Sequence, residues 1–414
     1  MTPSPKIALI QLISEQTIQN LLPINALQPQ ALLHLATAKT ALRSTQIKDA
    51  ALASGIAAKF ENIRLSDMPS IPETSRTVSR CILAAREAGL LPVVNFTGGT
   101  KLMSIGAYQE AARSGIPSFY VDTQSGHFLD AGTGQNLPAL FGGDLSFSNI
   151  LANLTLDMMV VANGHRSVSA GRDWRHYLAA AQAISQNPED AAAMREALSG
   201  RSGLIPEGRE PRKPYLWLPI LPESFFVPET ILPHLLACGL VQRGATIESA
   251  RLPNHTLPEL TVLSSLDYVE QHKSQSRYFA AIQPVQQTIA FLGGGWWEVI
   301  VAEAMDRSGR FQDLRWSANI TQQSGVTIEE DILAINGADA VCVSCKTGGS
   351  RQKLLPHLEE LSSRAKAVGG NFTRPILAVQ QPYDRMIQSV LTRAKELRIR
   401  ILTPEILSSP EAFA

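Results

Sequence analysis

The chain has 414 residues, more than one hydrophobic core usually supports, so we expect two domains joined by connecting structure. Lysine plus arginine and aspartate plus glutamate number 37 each, so no bulk positive charge indicates nucleic-acid binding, which must be local if it occurs. The sequence has no uncharged apolar run of membrane-spanning length, and its start lacks the features of a signal peptide. These absences predict a cytoplasmic protein with no membrane association.

The four cysteines are too few and too scattered for a disulfide framework, and we expect them to be reduced. Cys342 and Cys345 form a C-x-x-C pair, but the chain has no second pair and no histidine spacing typical of zinc sites. We therefore favour two small apolar residues on a strand over a zinc site.

The first part of the chain alternates short apolar runs with helical periods. Residues 76–88 and 102–113 have helical periodicity, and each run is followed by a glycine that can end a helix. Four nearly continuous apolar segments have the length of strands covered on both faces of a parallel sheet, namely residues 6–13, 31–37, 91–97 and 117–123. This order predicts a doubly wound, Rossmann-like α/β domain, which we assign to residues 1–145.

The segment from residue 146 to 290 is less regular, and we predict a mostly helical connection. Residues 174–185 and 231–241 have helical patterns. Residues 198–214 are rich in glycine, proline and arginine, which predicts an exposed loop. A small winged-helix-like unit around the second helix is one interpretation.

The α/β pattern returns over residues 291–414, which we assign to a second domain. A glycine turn leads into a predicted helix that ends at Ser308 and Gly309. Residues 326–349 predict a β-hairpin that turns at Asn336-Gly337, because Asn-Gly is the strongest short-range hairpin signal. A helix over 352–368 and a strand over 374–380 complete this domain.

A glycine-rich loop, NFTGGTK, connects a predicted strand to a predicted helix in the first domain. Paired glycines let backbone N–H groups approach a ligand, and a helix N-terminus favours anions. The threonine hydroxyls can donate hydrogen bonds, and the lysine supplies a positive charge for phosphate. A tight turn that needs glycine for geometry alone is the alternative. The residues expected to face a phosphate-rich ligand are Thr97, Gly98, Gly99, Thr100 and Lys101.

The run NFTGGTKLMSIGA resembles the signature loop of CARF domains, the CRISPR-associated Rossmann fold, and the similarity extends over about residues 5–130. In that family the loop lies beneath a cyclic oligoadenylate. The resemblance places Ser14, Glu15 and Gln16 at the carboxyl end of the first strand, in the crevice where ligands of open α/β sheets bind. It also implies a homodimer, because a ring-shaped ligand lying across a two-fold axis needs an isologous pair.

Acidic residues and a lysine are predicted to share one face of the C-terminal hairpin. With the turn given above, Asp331 lies opposite Cys342, and Glu329 lies opposite Ser344. Carboxylates hold Mg2+ or Mn2+, and a lysine orients water or stabilises developing charge, so this combination suits phosphodiester hydrolysis. An even change of loop length preserves the common face, whereas a one-residue slip destroys it. Because side chains alternate along a strand, the residues on this face are Glu329, Asp331, Ser344 and Lys346.

The order GGWWEVIVAEA, EEDILA and VSCKTG resembles the PD-(D/E)xK nuclease domain fused to CARF domains in CRISPR ancillary nucleases, over about residues 293–380. That fold is an α/β fold of the restriction-endonuclease type. The resemblance implies that Glu298 is the carboxylate of the first helix, Asp331 the central metal ligand and Lys346 the lysine of the final triplet. Ser344 stands where the triplet has an acid, and Glu329 or Glu298 is expected to supply the missing oxygen.

These patterns predict a nuclease of type III CRISPR antiviral defence. A cyclic oligoadenylate, for which we expect the tetramer, bridges two N-terminal domains and activates metal-dependent cleavage of DNA or RNA. Two alternatives stay open: a ligand-binding regulator whose nuclease has decayed at Ser344, and a ring nuclease that degrades the signal in the N-terminal pocket. The sequence does not distinguish DNA from RNA as the substrate.

Overall fold

The computed structural model describes most of both predicted domains and parts of the segment between them. The predicted exposed loop at residues 198–214 lies outside the described residues. Those described are 5–123, 127–134, 154–186, 231–242, 285–348, 351–382 and 388–409, with short stretches at 188–189, 191, 195, 216–220, 251–252, 255–256, 278–282, 386 and 412–413.

The N-terminal domain is a six-stranded, mostly parallel sheet covered by helices, as predicted. Its elements are β1 (Ile7–Leu12), α1 (Ile18–Leu27), β2 (Ala31–Ala36), α2 (Ala41–Ala53), β3 (Lys59–Arg64), α3 (Ile71–Glu87), β4 (Leu91–Asn95), α4 (Lys101–Arg113), β5 (Ser118–Asp122) and β6 (His127–Asp130). The strand order is β3-β2-β1-β4-β5-β6, with only β6 antiparallel to its neighbour. The order reverses between β1 and β4, which is where ligands of doubly wound sheets bind.

Helix α3 begins earlier than its apolar periodicity predicted, at Ile71 rather than residue 76. The Ser70 hydroxyl accepts a hydrogen bond from the Glu73 backbone N–H and so caps the helix, and Pro72 lies in the first turn, where its missing N–H costs nothing. The helix start was therefore encoded by a cap and a proline rather than by apolar periodicity.

The middle segment contains both predicted helices, but the second ends at Ala237 rather than at residue 241, and Val241 belongs to a small sheet that was not predicted. Its elements are α5 (Leu156–Ala162), β7 (His165–Val168), a 3-10 turn (Trp174–Tyr177), α6 (Leu178–Gln186), β8 (Leu216–Ile220), α7 (Leu232–Ala237), β9 (Val241–Gln242), β10 (Arg251–Leu252), β11 (His255–Thr256) and β12 (Tyr278–Ile282). Strands β8, β12 and β9 form an antiparallel sheet. Much of the chain between these strands lies outside the described residues, so the winged-helix interpretation stays a prediction.

The C-terminal domain is a second six-stranded sheet with helices on both faces. Its elements are α8 (Val285–Ala290), a π-helical turn (Phe291–Gly295), α9 (Trp296–Arg307), β13 (Gln312–Gln322), β14 (Thr327–Asn336), β15 (Asp339–Lys346), α10 (Arg351–Gly369), β16 (Thr373–Val379), α11 (Gln388–Glu396), β17 (Arg400–Leu402) and α12 (Pro404–Leu407). The strand order is β17-β16-β15-β14-β13-β7, so β7 of the middle segment completes the sheet.

Two hydrophobic cores flank this second sheet. The core that contains α9 includes the buried Trp296 and Trp297. The core on the other side contains α10 and α5, and it is continuous with the core of the N-terminal sheet. Helix α5 therefore packs between the two domains. No helix among the described residues is long and apolar enough to cross a membrane.

The hairpin of β14 and β15 forms as predicted, but its register differs. Ile335 pairs with Ala340 rather than with Ala338, and the turn residues are Gly337 and Ala338. Gly337 has a φ of +65°, whereas Ala338, the second turn residue, does not have a positive φ. A two-residue hairpin turn with positive φ only at its first position favours glycine there, and Gly337 takes that position. The predicted Asn-Gly turn would need a positive φ at both positions.

Candidate functional site

The glycine loop that follows β4 lies against the end of β1. These two strands are parallel neighbours, so their carboxyl ends lie at the same edge of the sheet. A Cβ atom on Gly98 would lie 2.1 Å from the carbonyl oxygen of Leu12, so this approach requires glycine. Gly99 has a φ of +76°, in the left-handed region that favours glycine. The glycines are thus needed for geometry, and that geometry brings Ser14, Glu15 and Gln16 beside the loop.

Thr97 is committed within the protein, which corrects its predicted role as a donor to the ligand. Its hydroxyl donates to Asn95 Oδ1 at 2.6 Å and accepts from the Val121 backbone N–H at 2.7 Å. With its single proton engaged, Thr97 fixes the loop between β4 and β5. Its side chain therefore supports the crevice, and its hydroxyl has no proton left to donate to a ligand.

Thr100 and Lys101 start helix α4 as the loop pattern predicted. The Thr100 hydroxyl accepts from the Met103 backbone N–H at 3.3 Å and caps the helix. Lys101 is exposed, and within the described part of the chain it has no ion-pair partner. An exposed, unpaired ammonium group at a helix N-terminus is suited to an anionic ligand.

The first-strand residues are held by local contacts. Ser14 Oγ accepts from the Gln16 backbone N–H at 3.3 Å, and Glu15 forms an ion pair with Arg43 at 3.5 Å. Both Ser14 and Gln16 are half-buried, and Glu15 is exposed. These three side chains therefore reach the surface of the crevice, where a ligand could contact them.

A buried polar network that was not predicted underlies the crevice. Asn95 Nδ2 and Asn20 Nδ2 both donate to Gln11 Oε1, at 3.0 and 3.2 Å. Gln11 also meets His34 at 3.5 Å, and His34 meets Ser44 at 3.0 Å. Burial lowers the pKa of His34 to about 3, so the ring is neutral. The only sequence signal was the presence of polar residues inside apolar strands.

In the second domain, the side chains of β13 and β14 switch to the opposite face of the sheet at Ser317 and Asp331. We call this irregularity the face switch. Trp316 and Ile332 pair with each other and pack in the core that contains α9. Ala318, two residues after Trp316, packs instead in the core that contains α10. Residues two apart on a regular strand share a face. The left-handed φ of +51° at Ser317 explains the switch, and such strain is often stored at functional sites.

The face switch gathers three carboxylates. Glu298, Glu329 and Asp331 line one cavity of about 200 Å3 on the α9 side. Glu330 points to the opposite side, where its carboxylate pairs with Arg364 of α10 at 2.7 Å. Arg364 also donates to the backbone carbonyl of Glu329. The arginine therefore clamps the strand at the residue beside the cavity.

Hydrogen bonds orient two of these carboxylates. Trp316 Nε1 donates to Glu298 Oε2 at 2.8 Å, and Ser317 Oγ donates to Glu329 Oε1 at 2.6 Å. Burial, and then the negative charge of Asp331, raises the pKa of Glu298 to about 7. Glu298 can therefore exchange a proton near neutral pH.

Asp331 is the centre of the site. Its Oδ2 accepts from the Cys345 backbone N–H at 2.7 Å and from Ser344 Oγ at 3.3 Å, and it lies 3.7 Å from Lys346 Nζ. Asp331, Ser344 and Lys346 line a second cavity of about 140 Å3, together with His357 of α10. Asp331 thus lies between the two cavities.

The prediction that four residues share one face is therefore wrong for Glu329. Ser344 meets Asp331 rather than Glu329, because the register differs from the predicted one. Glu329 lines the α9-side cavity with Glu298, while Ser344 and Lys346 line the other. Simple alternation failed because of the face switch, which no sequence pattern marked.

The C-x-x-C pair cannot hold one ion, because Cys342 and Cys345 are buried in the two different cores on opposite sides of β15. Burial raises the pKa of both thiols. Both therefore behave as the small apolar strand residues that the sequence analysis favoured.

The carboxylate cavity suits a hard divalent cation in its chemistry. Carboxylate oxygens are the ligands that Mg2+ prefers, and a cation would relieve the repulsion that raises the pKa of Glu298. Among the described residues, no three His, Cys, Asp or Glu side chains stand close enough to form a ready metal site. Mg2+ commonly takes one or two carboxylates and completes its shell with water, so Glu298, Glu329 and Asp331 are the residues that would hold it.

Comparisons with known proteins identify both domains. A family described as the Card1 CARF domain matches residues 8–134, and one described as the Card1-like endonuclease domain matches residues 285–410. Together they cover more than half of the chain. No curated protein matches the chain by sequence.

Solved structures share the fold of the chain at low sequence identity. The structure of Can2 from Sulfobacillus thermosulfidooxidans in complex with cyclic tetra-adenylate is 16% identical, with a TM-score of 0.63, and the match covers 95% of this chain and 92% of that one. Protein VC1899 from Vibrio cholerae is 12% identical, with a TM-score of 0.71, and the match covers 98% and 96%.

A third structure is a type III CRISPR defence DNA nuclease activated by cyclic oligoadenylate. It is 14% identical, with a TM-score of 0.51, and the match covers 91% of this chain. This chain spans 46% of the length of that nuclease. At these identities the likeness concerns the fold.

Proposed function

Because the chain belongs to the CARF-domain ancillary nucleases of CRISPR defence, with a CARF domain and an endonuclease domain, we propose that it is a nuclease switched on by a cyclic oligoadenylate. The activator is cyclic tetra-adenylate, bound in the crevice between the ends of β1 and β4. The active form is a cytoplasmic homodimer that cuts DNA or RNA with Mg2+ or Mn2+. The Can2 structure with cyclic tetra-adenylate and the nuclease activated by cyclic oligoadenylate support this assignment.

The observation that carries the proposal is the gathering of Glu298, Glu329 and Asp331 around one cavity of the endonuclease domain. A divalent cation held there supplies Lewis acidity for phosphodiester hydrolysis. Lys346 stands 3.7 Å from Asp331, where its ammonium group can stabilise charge that develops on phosphate. In the metal-free site Glu298 exchanges a proton near neutral pH, and a bound cation would lower its pKa and favour the carboxylate.

An exposed apolar surface beside the crevice supports the dimer. Leu102, Ile105 and Tyr108 of α4 are 50%, 42% and 37% exposed, and Tyr120 of β5 is 44% exposed. Phe96 joins the two elements, with ring centroids 5.8 Å from Tyr108 and 6.4 Å from Tyr120. Contiguous exposed apolar surface of this kind marks interaction sites. Its position beside the loop suits a two-fold axis that passes through the ligand.

The test is a cleavage assay on plasmid DNA, single-stranded DNA and RNA, in Mg2+ or Mn2+, with and without cyclic tetra-adenylate. We expect cleavage that depends on both the metal and the activator. Asp331→Asn should abolish cleavage and keep activator binding, while Lys101→Ala should weaken activator binding by about 1.5–3 kcal/mol. Asp339→Asn is the matched control, because Asp339 is in the same hairpin but pairs with Arg374 outside the cavity.

Other outcomes identify the alternatives. Activator binding without cleavage under any condition would identify a decayed regulator, for which the hydrogen bond between Ser344 and Asp331 is the structural argument. Linear products of the activator, formed even by Asp331→Asn, would identify a ring nuclease. Cleavage by Asp331→Asn at the wild-type rate would place the nuclease centre elsewhere.

A further inference from the structure

Arg172 belongs to the middle segment, yet it lies at the carboxylate cavity of the second domain. It lines that cavity together with Glu298, Glu329 and Asp331. Neither matched segment, 8–134 or 285–410, contains it. The residue comes after β7, the strand that completes the C-terminal sheet, and this explains how the middle segment reaches the site.

A short strap, residues 169–172, fixes the backbone at Arg172. The Ser169 backbone N–H donates to the Asn319 carbonyl at 2.9 Å, and the Asn319 N–H donates to Ser169 Oγ at 2.8 Å. The Arg172 N–H donates to the Trp316 carbonyl at 2.8 Å. These bonds attach the strap to β13 on both sides of the face switch.

Gly171 allows the strap to lie this close to β13. Its φ is +77°, and a Cβ atom there would lie 2.6 Å from the Trp316 carbonyl oxygen. The backbone that carries Arg172 is therefore placed by specific bonds and by a required glycine. A strap anchored in this way fixes the Cα of Arg172, from which the side chain extends to the cavity.

The guanidinium group of Arg172 is exposed and unpaired. Among the described residues it has no carboxylate within ion-pair distance, although three carboxylates line the same cavity. The neighbouring arginines differ. Arg175 pairs with Asp306 at 2.9 Å and stacks on Trp174, and Arg315 pairs with Asp313 at 2.7 Å.

We propose that Arg172 binds a phosphate of the nucleic-acid backbone and so seats the strand across the carboxylate cavity. The inference rests on the proposed nuclease function. A phosphodiester approaching Glu298, Glu329 and Asp331 meets negative charge, which a cation in the cavity offsets only in part. An unpaired arginine at the same cavity offsets the rest, because its planar fork binds two phosphate oxygens at once.

The test measures binding of a labelled single-stranded DNA as a function of salt, with cyclic tetra-adenylate and Mg2+ present. The parent is Asp331→Asn, so that the strand stays intact. Adding Arg172→Ala should weaken binding by about 10-fold or more at low salt. It should also reduce the slope of log affinity against log salt by about 0.7, the value for one lost phosphate contact on a single strand. Arg172→Lys should keep the slope and lose part of the affinity.

In the wild-type background, Arg172→Ala should raise KM more than it lowers kcat, because the contact is made before the chemical step. Arg175→Ala is the matched control, an exposed arginine three residues away whose charge is already paired. It should leave the DNA affinity and the salt slope unchanged. Unchanged thermal midpoints of tryptophan fluorescence would show that neither substitution disturbs the fold.

Equal affinity and slope for Arg172→Ala and its parent would overturn the inference and leave the nuclease function standing. DNA binding by the wild type with the predicted loss on Arg172→Ala, but no cleavage, would support the inference while the nuclease function fails. No binding of single-stranded or double-stranded DNA or of RNA by the parent, together with no cleavage by the wild type, would overturn both.

Discussion

Replacing Glu298 by glutamine should stabilise the metal-free protein at alkaline pH. Burial, and then the negative charge of Asp331, raises the pKa of Glu298 from the ordinary 4.5 to about 7. Glutamine keeps an oxygen for the hydrogen bond from Trp316 Nε1, but it carries no charge. The ionised carboxylate of Glu298, which would hold a metal ion, thus destabilises the fold when no metal is bound.

The sign and size follow from proton linkage. A carboxyl whose pKa is higher in the folded state contributes stability that is fully present below pH 4.5 and is lost as the pH rises through 7. At about 1.4 kcal/mol per unit, the wild type loses up to about 3 kcal/mol across this window. Water penetration into the cavity lowers this figure, so we expect a difference of about 1–3 kcal/mol at pH 8.

Tryptophan fluorescence during heating is the appropriate assay, because all five tryptophans lie between residues 174 and 316, outside the N-terminal domain. The midpoint of Glu298→Gln should equal that of the wild type at pH 4.5 and exceed it at pH 8, by about 2–4 °C for each kcal/mol. Adding Mg2+ at pH 8 should raise the wild-type midpoint more than that of the variant.

Glu303→Gln is the control, because Glu303 is on the same helix but does not line the cavity. Its midpoint should follow that of the wild type at every pH. A difference between Glu298→Gln and the wild type that does not change with pH would refute the reasoning. It would mean that ionisation of Glu298 does not lower the free energy of unfolding, so its pKa is not raised in the folded protein.

Three further changes test the crevice, the cavity and the dimer. Gly98→Ala should reduce the affinity for cyclic tetra-adenylate by at least about 10-fold in calorimetry, since the added Cβ would displace the loop from β1; Gly115→Ala, which is strained by its φ of +62° but whose Cβ meets no atom within 4 Å, should lose stability and still bind normally. Ser344→Glu should not restore cleavage to Glu329→Gln, because the two residues line different cavities; restored cleavage would favour the predicted register over the observed one. Ile105→Asp should convert a dimer into a monomer in light scattering, and an unchanged mass would remove the α4 surface from the interface.

Much of the fold could be predicted from the sequence because its signals are local. The continuous apolar runs of β1 and β2 mark strands buried on both faces, and both are buried along their whole length. The Asn336-Gly337 pair marks the hairpin, and the error of register arose only from which residue takes the first turn position. The error shifts each residue's partner by two positions, which is an even number. It therefore changed the pairs but not the face of the sheet that a residue of β15 occupies.

The arrangement of the second site could not be predicted, because it depends on one irregular residue and on one long-range strand pairing. A left-handed residue inside β13 is common for glycine and rare for serine, so Ser317 gave no warning of the face switch. The contribution of Arg172 depends on β7 joining a sheet formed mainly by residues 312–402, which is a long-range pairing that no short pattern encodes.

The same middle segment also connects the two sites. Helix α5 packs in the core shared by both domains, and Asn163 after it accepts a hydrogen bond at 3.4 Å from Thr17, directly after the predicted ligand residues 14–16. His165 then meets the Ala367 carbonyl of α10 at 2.9 Å, and β7 leads into the strap that carries Arg172. A ligand that moves the turn after β1 therefore acts on a segment that ends at the carboxylate cavity. Such a route transmits a signal only if the activator binds one arrangement of this segment better than the other, so the strap should differ between the free and bound states.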